Sequence, residues 1–293
     1  MIDQFLNYLR YERNASPLTV QTYEESLREF ESYLSLRDNG LSLKAVDTDL
    51  IRDWMECLMD KGNTASTLNK KLSALRSFYR FSLKRRLVEK DPAHSITGPK
   101  KSKPLPQFLR ESEMDRLLDG LEWDMDNYND VRARTILLLF YEAGLRRSEL
   151  TGLNDGDVDI SACQLKVTGK RNKQRIVPFG KELGDALSAY RSFREEQGLK
   201  NSEAFFLNDK GDRMTAEQVY HLVHKYLSAV TSLKKRSPHV LRHTFATAML
   251  NNGAGLESIK NLLGHESVST TEIYAHTTFE QLKRVYKEAH PRA

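Results

Sequence analysis

Residues 237–276 read SPHVLRHTFATAMLNNGAGLESIKNLLGHESVSTTEIYAH. Ser237 followed by Pro238 is a helix-start signal: a hydroxyl residue at the N-cap, then a ring that presets φ where the missing N–H costs nothing. His239 then falls in the first turn, and Arg242, three residues on, shares its face. Val240, Leu241, Phe245, Ala248, Met249 and Leu250 form the other, core-facing stripe, so the His239/Arg242 pair is expected as a polar edge. After Gly253 a second helix, residues 256–263, ends at Gly264-His265, and a third starts near Ser269 and carries Tyr274. An arginine, histidines and a tyrosine in one short helical stretch suit phosphate chemistry, because guanidinium binds oxyanions, imidazole moves protons and a phenol can attack phosphorus.

H-x-x-R, then L-L-G-H, then a tyrosine nine residues later resembles the tyrosine (phage integrase type) site-specific recombinases. Tyr141-Glu142-Ala143-Gly144-Leu145-Arg146-Arg147-Ser148-Glu149-Leu150 is similar to that family's first arginine box, and Val167-Thr168-Gly169-Lys170 to its lysine hairpin. The boxes follow the family's order through the second half of the chain, and the front resembles the family's smaller, DNA-clasping, SAM-like domain. With no added arm-binding module, the chain looks like the Xer chromosome-dimer resolvases within the family.

The chain has 293 residues, which suits one large or two modest domains, and 39% are hydrophobic, enough for ordinary cores. No apolar run reaches the length of a membrane span, and the start, MIDQFLNYLRYER, is charged early rather than built like a signal peptide, so a cytoplasmic protein without membrane contact is expected. Cys57 and Cys163 are far apart and suggest neither a disulfide framework nor a zinc site. The net charge of +5 is compatible with nucleic acid, and its distribution says more. Seven Lys/Arg (84, 85, 86, 90, 100, 101, 103) against two acids (89, 91) flank Pro92, Gly98 and Pro99. Such a stretch is either a solvated basic linker or a strap along phosphates; once DNA is granted, the strap is favoured.

Residues 1–95 read as helices only. Ile2, Phe5, Leu6 and Leu9 give one; Ser16-Pro17 caps a second with Val20, Tyr23, Leu27, Phe30 and Leu34; a third runs from Asp47 to a stop at Gly62; a fourth begins near Ser66. This four-helix bundle is expected as the core-DNA-binding domain, residues 96–106 as a basic linker, and residues 107–293 as the catalytic domain. In the latter, helices are expected near residues 111–121, 131–143, 181–196 and 215–230, with Gly144 as a stop that presents Arg146 on the turn. Residues 165–178 alternate as two strands around a basic tip, and residues 204–207 read as a short strand. The fold class is therefore mainly α with a small β-sheet. A last amphipathic helix, residues 279–288, either folds back on its own domain or, as the resemblance implies and as preferred here, docks on a neighbouring protomer.

The resemblance implies Arg146, Lys170, His239, Arg242 and His265 as the catalytic set around Tyr274 as nucleophile. It favours Arg146 over Arg147. On chemistry alone Lys173 rivals Lys170, and His276 rivals His265. Arg146 and Arg242 would clamp the non-bridging oxygens, His239 take the tyrosine proton, His265 donate to the phosphate and Lys170 protonate the leaving 5′-oxygen, giving a 3′-phosphotyrosyl intermediate. Energy is conserved in that linkage, so no cofactor, metal or ATP is expected, and no G-x-x-x-x-G-K-[ST] loop occurs. His239 and His243 have a zinc-capable spacing but no third ligand, and Asp155, Asp157 and Asp159 lack the glycine and glutamate of a calcium loop, Ile160 and Lys166 standing there instead. Partners implied are double-stranded DNA with an inverted-repeat site, a tetramer on DNA that includes or omits a second recombinase, and a DNA translocase. The function expected is dimer resolution at cell division; the competing readings are an integrase or resolvase of a mobile element, a topoisomerase, and a non-catalytic DNA-binding relative.

Overall fold

The computed structural model describes residues 1–38, 41–100, 107–169, 172–199, 203–264 and 279–292, the side chains of 279–281 excepted. The chain divides into two compact units, Met1–Pro104 and Leu105–Ala293. In the first, α1 (Ile2–Asn7) runs on into a π-helical turn (Tyr8–Glu12), followed by α2 (Pro17–Arg37), α3 (Thr48–Asp60) and α4 (Ala65–Lys84). Each long helix starts where a side-chain oxygen accepts an otherwise orphaned N–H: Ser16 from Thr19, Asp47 from Leu50 and Thr64 from Thr67. Their apolar faces meet in an aromatic core, with Phe5 edge-on to Phe78 at 5.6 Å and Phe30 against Trp54 at 4.8 Å. Beyond α4 the chain stays on this unit. Arg76 donates to the carbonyls of Ala93 and Ile96, and Asn69 Nδ2 to Pro99 O at 2.8 Å. Residues 101–106, the rest of the expected linker, lie outside the described residues.

The second unit contains α5 (Glu111–Leu118), α6 (Tyr128–Ala143), α7 (Arg147–Thr151), β1 (Val158–Asp159), β2 (Gln164–Thr168), β3 (Gln174–Pro178), α8 (Lys181–Glu196), α9 (Ala216–Val230), α10 (Pro238–Asn251), α11 (Leu256–Leu263) and α12 (Phe279–Ala289). Helix α6 is its axis: Ile136 through Tyr141 are all buried, as a helix apolar on every side requires, and it packs against α8 and α10. The sheet is antiparallel in the order β1-β2-β3, with Leu165 opposite Val177 and Val167 opposite Arg175. Leu165, Val167 and Val177 face the core.

Two expectations change. Residues 204–207 do not form a strand: Ala204 and Leu207 make only isolated bridges, to Asn154 and Arg213. Phe205 and Phe206 are core residues stacked around Tyr190, whose hydroxyl accepts the Leu207 N–H at 2.9 Å, so this backbone bonds to loops and a side chain. Leu250, assigned to the core stripe of α10, is 53% exposed. Helix α12 packs on its own unit. Tyr286, fully buried, donates to Glu142 Oε2 at 3.1 Å; Asn252 Nδ2 donates to Ala289 O at 3.0 Å; and Arg292 bridges Glu182, Asp115 and Asp119.

Helix α6 ends at Gly144 in the left-handed conformation, φ +58°, with no room for a side chain: a Cβ there would lie 2.5 Å from Phe245 Cδ1 and 3.0 Å from Leu263 Cδ2. Gly144→Ala is expected to destabilise the second unit by about 1–3 kcal/mol through strain and overpacking. A thermal or urea transition unchanged from wild type would contradict that placement.

Candidate active site

The left-handed turn at Gly144 delivers buried Leu145 and then Arg146, which occupies the N-cap of α7. Its N–H donates to Glu149 Oε2 at 2.8 Å and its Nη1 to Glu149 Oε1 at 2.6 Å, leaving Nη2 for Gly264 O at 2.9 Å. Arg242 comes from the second turn of α10, whose first residue is Pro238. It is only 7% exposed and points inward, donating to Gly144 O at 2.5 Å and Leu263 O at 2.6 Å. This corrects the expected polar edge: His239 and His243 are exposed, whereas the guanidinium one turn later is drawn to unpaired carbonyls.

Those carbonyls explain the convergence. The last C=O groups of a helix have no intrahelical partner and carry the negative end of its dipole. At the end of α11, Arg175 Nε donates to Leu262 O at 2.9 Å, Arg242 to Leu263 O and Arg146 to Gly264 O, so three consecutive carbonyls take three different arginines. Between the guanidiniums sits Glu149, 1% exposed, held by Arg175 in a fork of two 2.9 Å bonds and 3.8 Å from Arg242. Burial pushes the Glu149 carboxyl up, but the bonds and charge of Arg175, with the bonds of Arg146, outweigh it and hold it at about 2. Arg242 is lowered to about 10, first by burial and then by the neighbouring Arg146, so it remains a cation at neutral pH. One carboxylate does not balance three guanidiniums, and the surplus suits an anion with two oxygens to clamp. Although part of its ring is exposed, His239 is lowered from 6.5 by the desolvation of the rest and then by Arg242, His243, Arg147 and Arg146, which favours the neutral form that can accept a proton.

The structure thus brings Arg146 and Arg242 together, with His239 one turn before Arg242. Lys170, His265, His276 and Tyr274 lie outside the described residues. Lys173 is exposed, and its carbonyl accepts the Gly169 N–H at 2.8 Å where the hairpin closes. Glu149 and Arg175 are the members missed in the sequence. Glu149 stands three residues after Arg146, a capping-box spacing. Arg175 shares a strand face with buried Val177, and a charge at an inward position needs a buried partner.

A helical unit is followed by a second one whose clustered arginines, with a histidine one turn before Arg242, suit the binding of an oxyanion such as a phosphate. Residues 107–281 match the phage integrase family, and residues 2–86 match the phage integrase N-terminal SAM-like domain. A tyrosine recombinase XerC of Pelotomaculum thermopropionicum is 38% identical, with 100% of this chain and 98% of that protein covered. The XerC of Bacillus subtilis is 36% identical, covering 99% and 95%. Among solved structures, an XerH site-specific recombinase bound to difH substrate in a pre-cleavage complex has the same fold, with a TM-score of 0.70 and 24% identity over 97% of this chain and 83% of that one. The chain belongs to the phage integrase family and is an enzyme of its tyrosine recombinase class.

Glu149→Gln keeps the shape and removes the charge that separates three arginines; it is expected to cost about 3 kcal/mol at pH 7, in the range for breaking a buried pair. Because the folded value is depressed to about 2 from 4.5, that contribution is complete above pH 4.5 and fades as pH falls toward about 2. Urea titrations of both proteins across that range check it; equal stability at pH 7 would sink the assignment.

Proposed function

We propose that this chain recombines DNA site-specifically by cutting and rejoining strands through a 3′-phosphotyrosyl intermediate on Tyr274, and that it resolves chromosome or plasmid dimers for segregation at cell division in the cytoplasm. The observation that carries the reading is the pairing of Arg146 and Arg242 at the end of α11, where both are fixed by backbone carbonyls with uncompensated charge beside them. The names of the relatives support dimer resolution over a mobile-element role. Among the described residues no helix is long and apolar enough to cross a membrane.

In this mechanism the Tyr274 oxygen attacks phosphorus while His239, whose pKa is lowered by desolvation and then by its cationic neighbours, takes the phenolic proton. Arg146 and Arg242 hold the non-bridging oxygens, whose charge rises in the transition state, and His265 donates to one of them. The P–O5′ bond breaks, and Lys170 gives its proton to the departing oxygen. A 5′-hydroxyl from a second strand reverses the sequence and releases Tyr274, so no external energy source enters. The partners proposed are an inverted-repeat duplex, further protomers forming a tetramer with or without a second recombinase, and a DNA translocase that controls it. Exchange of α12 between protomers requires the bonds of Tyr286, Asn252 and Arg292 to break first.

The test is covalent trapping without metal or ATP on a pool of nicked genomic duplexes, followed by sequencing of protein-linked DNA. Wild-type adducts at one short inverted-repeat site, absent with Tyr274→Phe, are expected; adducts from that mutant remove Tyr274 as nucleophile, and scattered adducts point to a topoisomerase. Arg242→Ala is expected to keep site binding and slow cleavage about a hundred- to a thousandfold; unaltered turnover refutes the clamp. Under subsaturating DNA, cleavage is expected to rise with pH through an apparent pKa below 6.5, because His239 must be neutral to accept a proton. The acid limb is expected to vanish in His239→Gln, and its persistence there assigns the limb to another group.

A further inference from the structure

The geometry points to Arg175 as a positioning residue that ties the lysine hairpin to the phosphate clamp, an inference that rests on the proposed role of Lys170 as the acid for the leaving oxygen. Arg175 stands on β3, opposite Val167 of β2 and two residues past the hairpin-closing bond from Gly169 N to Lys173 O. Its guanidinium leaves the hairpin and makes three bonds elsewhere: two to the Glu149 carboxylate and one to Leu262 O. Glu149 in turn holds the backbone and side chain of Arg146, and the next carbonyl along α11 holds Arg242. Both clamp arginines are therefore one shared partner or one residue away from Arg175.

Two backbone positions lie against the same group. A Cβ on Gly169 would sit 3.6 Å from Glu149 Oε1 and 3.9 Å from Arg175 Nη1, so the chain passes the carboxylate immediately before residue 170. At Gly264, φ +63°, a Cβ would fall 3.0 Å from Arg175 Nη1 and 3.2 Å from its Cζ, so the chain also crosses the guanidinium immediately before residue 265. Arg175 is thus the contact shared by the departure points of Lys170 and His265. It is fixed to the clamp on one side and to the strand that carries the hairpin on the other. A planar fork with three bonds in defined directions sets position and angle together; a lysine ammonium supplies charge without that geometry. Misplacing a proton donor by about 1 Å slows its step by about a hundredfold.

A structural ion pair alone predicts a different result, and the leaving group separates the two. Full-length Arg175→Lys and Arg175→Gln are assayed in single turnover at saturating protein, on a nicked duplex carrying the site recovered by trapping. The scissile bridge is either the ordinary 5′-oxygen or a 5′-sulfur, which departs as a thiolate without a proton. Cleavage of the oxygen substrate is expected to fall about a hundredfold in both variants, and that of the sulfur substrate to stay within a few fold of wild type. Arg175→Lys keeps the cation in place should Arg175→Gln fail to fold. Equal slowing on both bridges, or no slowing on either, overturns the inference. Lys170→Ala is run alongside. Rescue of Lys170→Ala by sulfur without rescue of the Arg175 variants sinks the role of Arg175 alone. Lys170→Ala that sulfur does not rescue sinks the acid assignment beneath it.

Discussion

The C-terminus of α11 is the constraint on which the catalytic unit depends. Its last three carbonyls bond to arginines from β3, α10 and the N-cap of α7, elements far apart in sequence. Arginine suits these three positions because each side chain has to satisfy a carbonyl and still present donors in another direction, which a point-like ammonium cannot do with fixed geometry. Burying three cations together is costly, and Glu149 offsets part of that cost through five polar contacts without neutralising the cluster. The charge left over makes the end of α11 a favourable place for an oxyanion, with the donors already oriented in the folded state.

The helical framework was legible because its signals are local. Ser16-Pro17, Asp47 and Thr64 mark starts that the backbone needs, and the apolar steps of three and four in α2, α3 and α4 set their buried faces. Gly144 and Gly264 were legible as stops for the same reason, since only glycine accepts their left-handed turns cheaply. Failures came where the deciding partner is remote. The apolar Phe205 and Phe206 look like strand residues, yet a strand requires a neighbour, and Tyr190 and Leu153 satisfy the backbone instead. Arg242 has the spacing of a surface pair with His239, but carbonyls at 144 and 263, from separate elements, draw it into the interior. Arg175 reads as one more cation on a basic hairpin until Glu149, twenty-six positions back, is placed beside it.

Beneath the arginines lies an apolar layer that links the site to the end of the chain. Phe245 and Met249 of α10, Ile259, Leu262 and Leu263 of α11, and Tyr286 and Ala289 of α12 pack as one cluster, and the backbone of Gly144 fits against Phe245. The helices that supply Arg242 and the three carbonyls thus rest partly on α12. Deep beneath that helix, Glu142 accepts from Tyr286 and from the Gly180 N–H through Oε2, while Oε1 has no partner among the described residues. Burial raises its pKa to about 8, so the carboxyl is neutral through most of the physiological range.

The sign of that shift bears on how firmly α12 is seated. A carboxyl raised to about 8 in the seated form and near 4.5 when released carries no penalty below pH 4.5; the seat then weakens as pH rises, up to about 8. His290 works in the opposite sense: stacked on Tyr286 and Phe245, it is lowered to about 4 by burial, so protonation toward acid favours release. Neither group prefers its charged form in the seat, in contrast to Glu149, whose charge is fixed by three arginines. The two halves of the unit therefore differ in kind. The arginine cluster is held by charged hydrogen bonds, whereas α12 is held by apolar packing, neutral hydrogen bonds and the Arg292 bridges at its end. The carbonyls at the end of α11 bond to arginines outside α12, so α12 supports that end through the packing of Phe245 and Met249 and not through those hydrogen bonds.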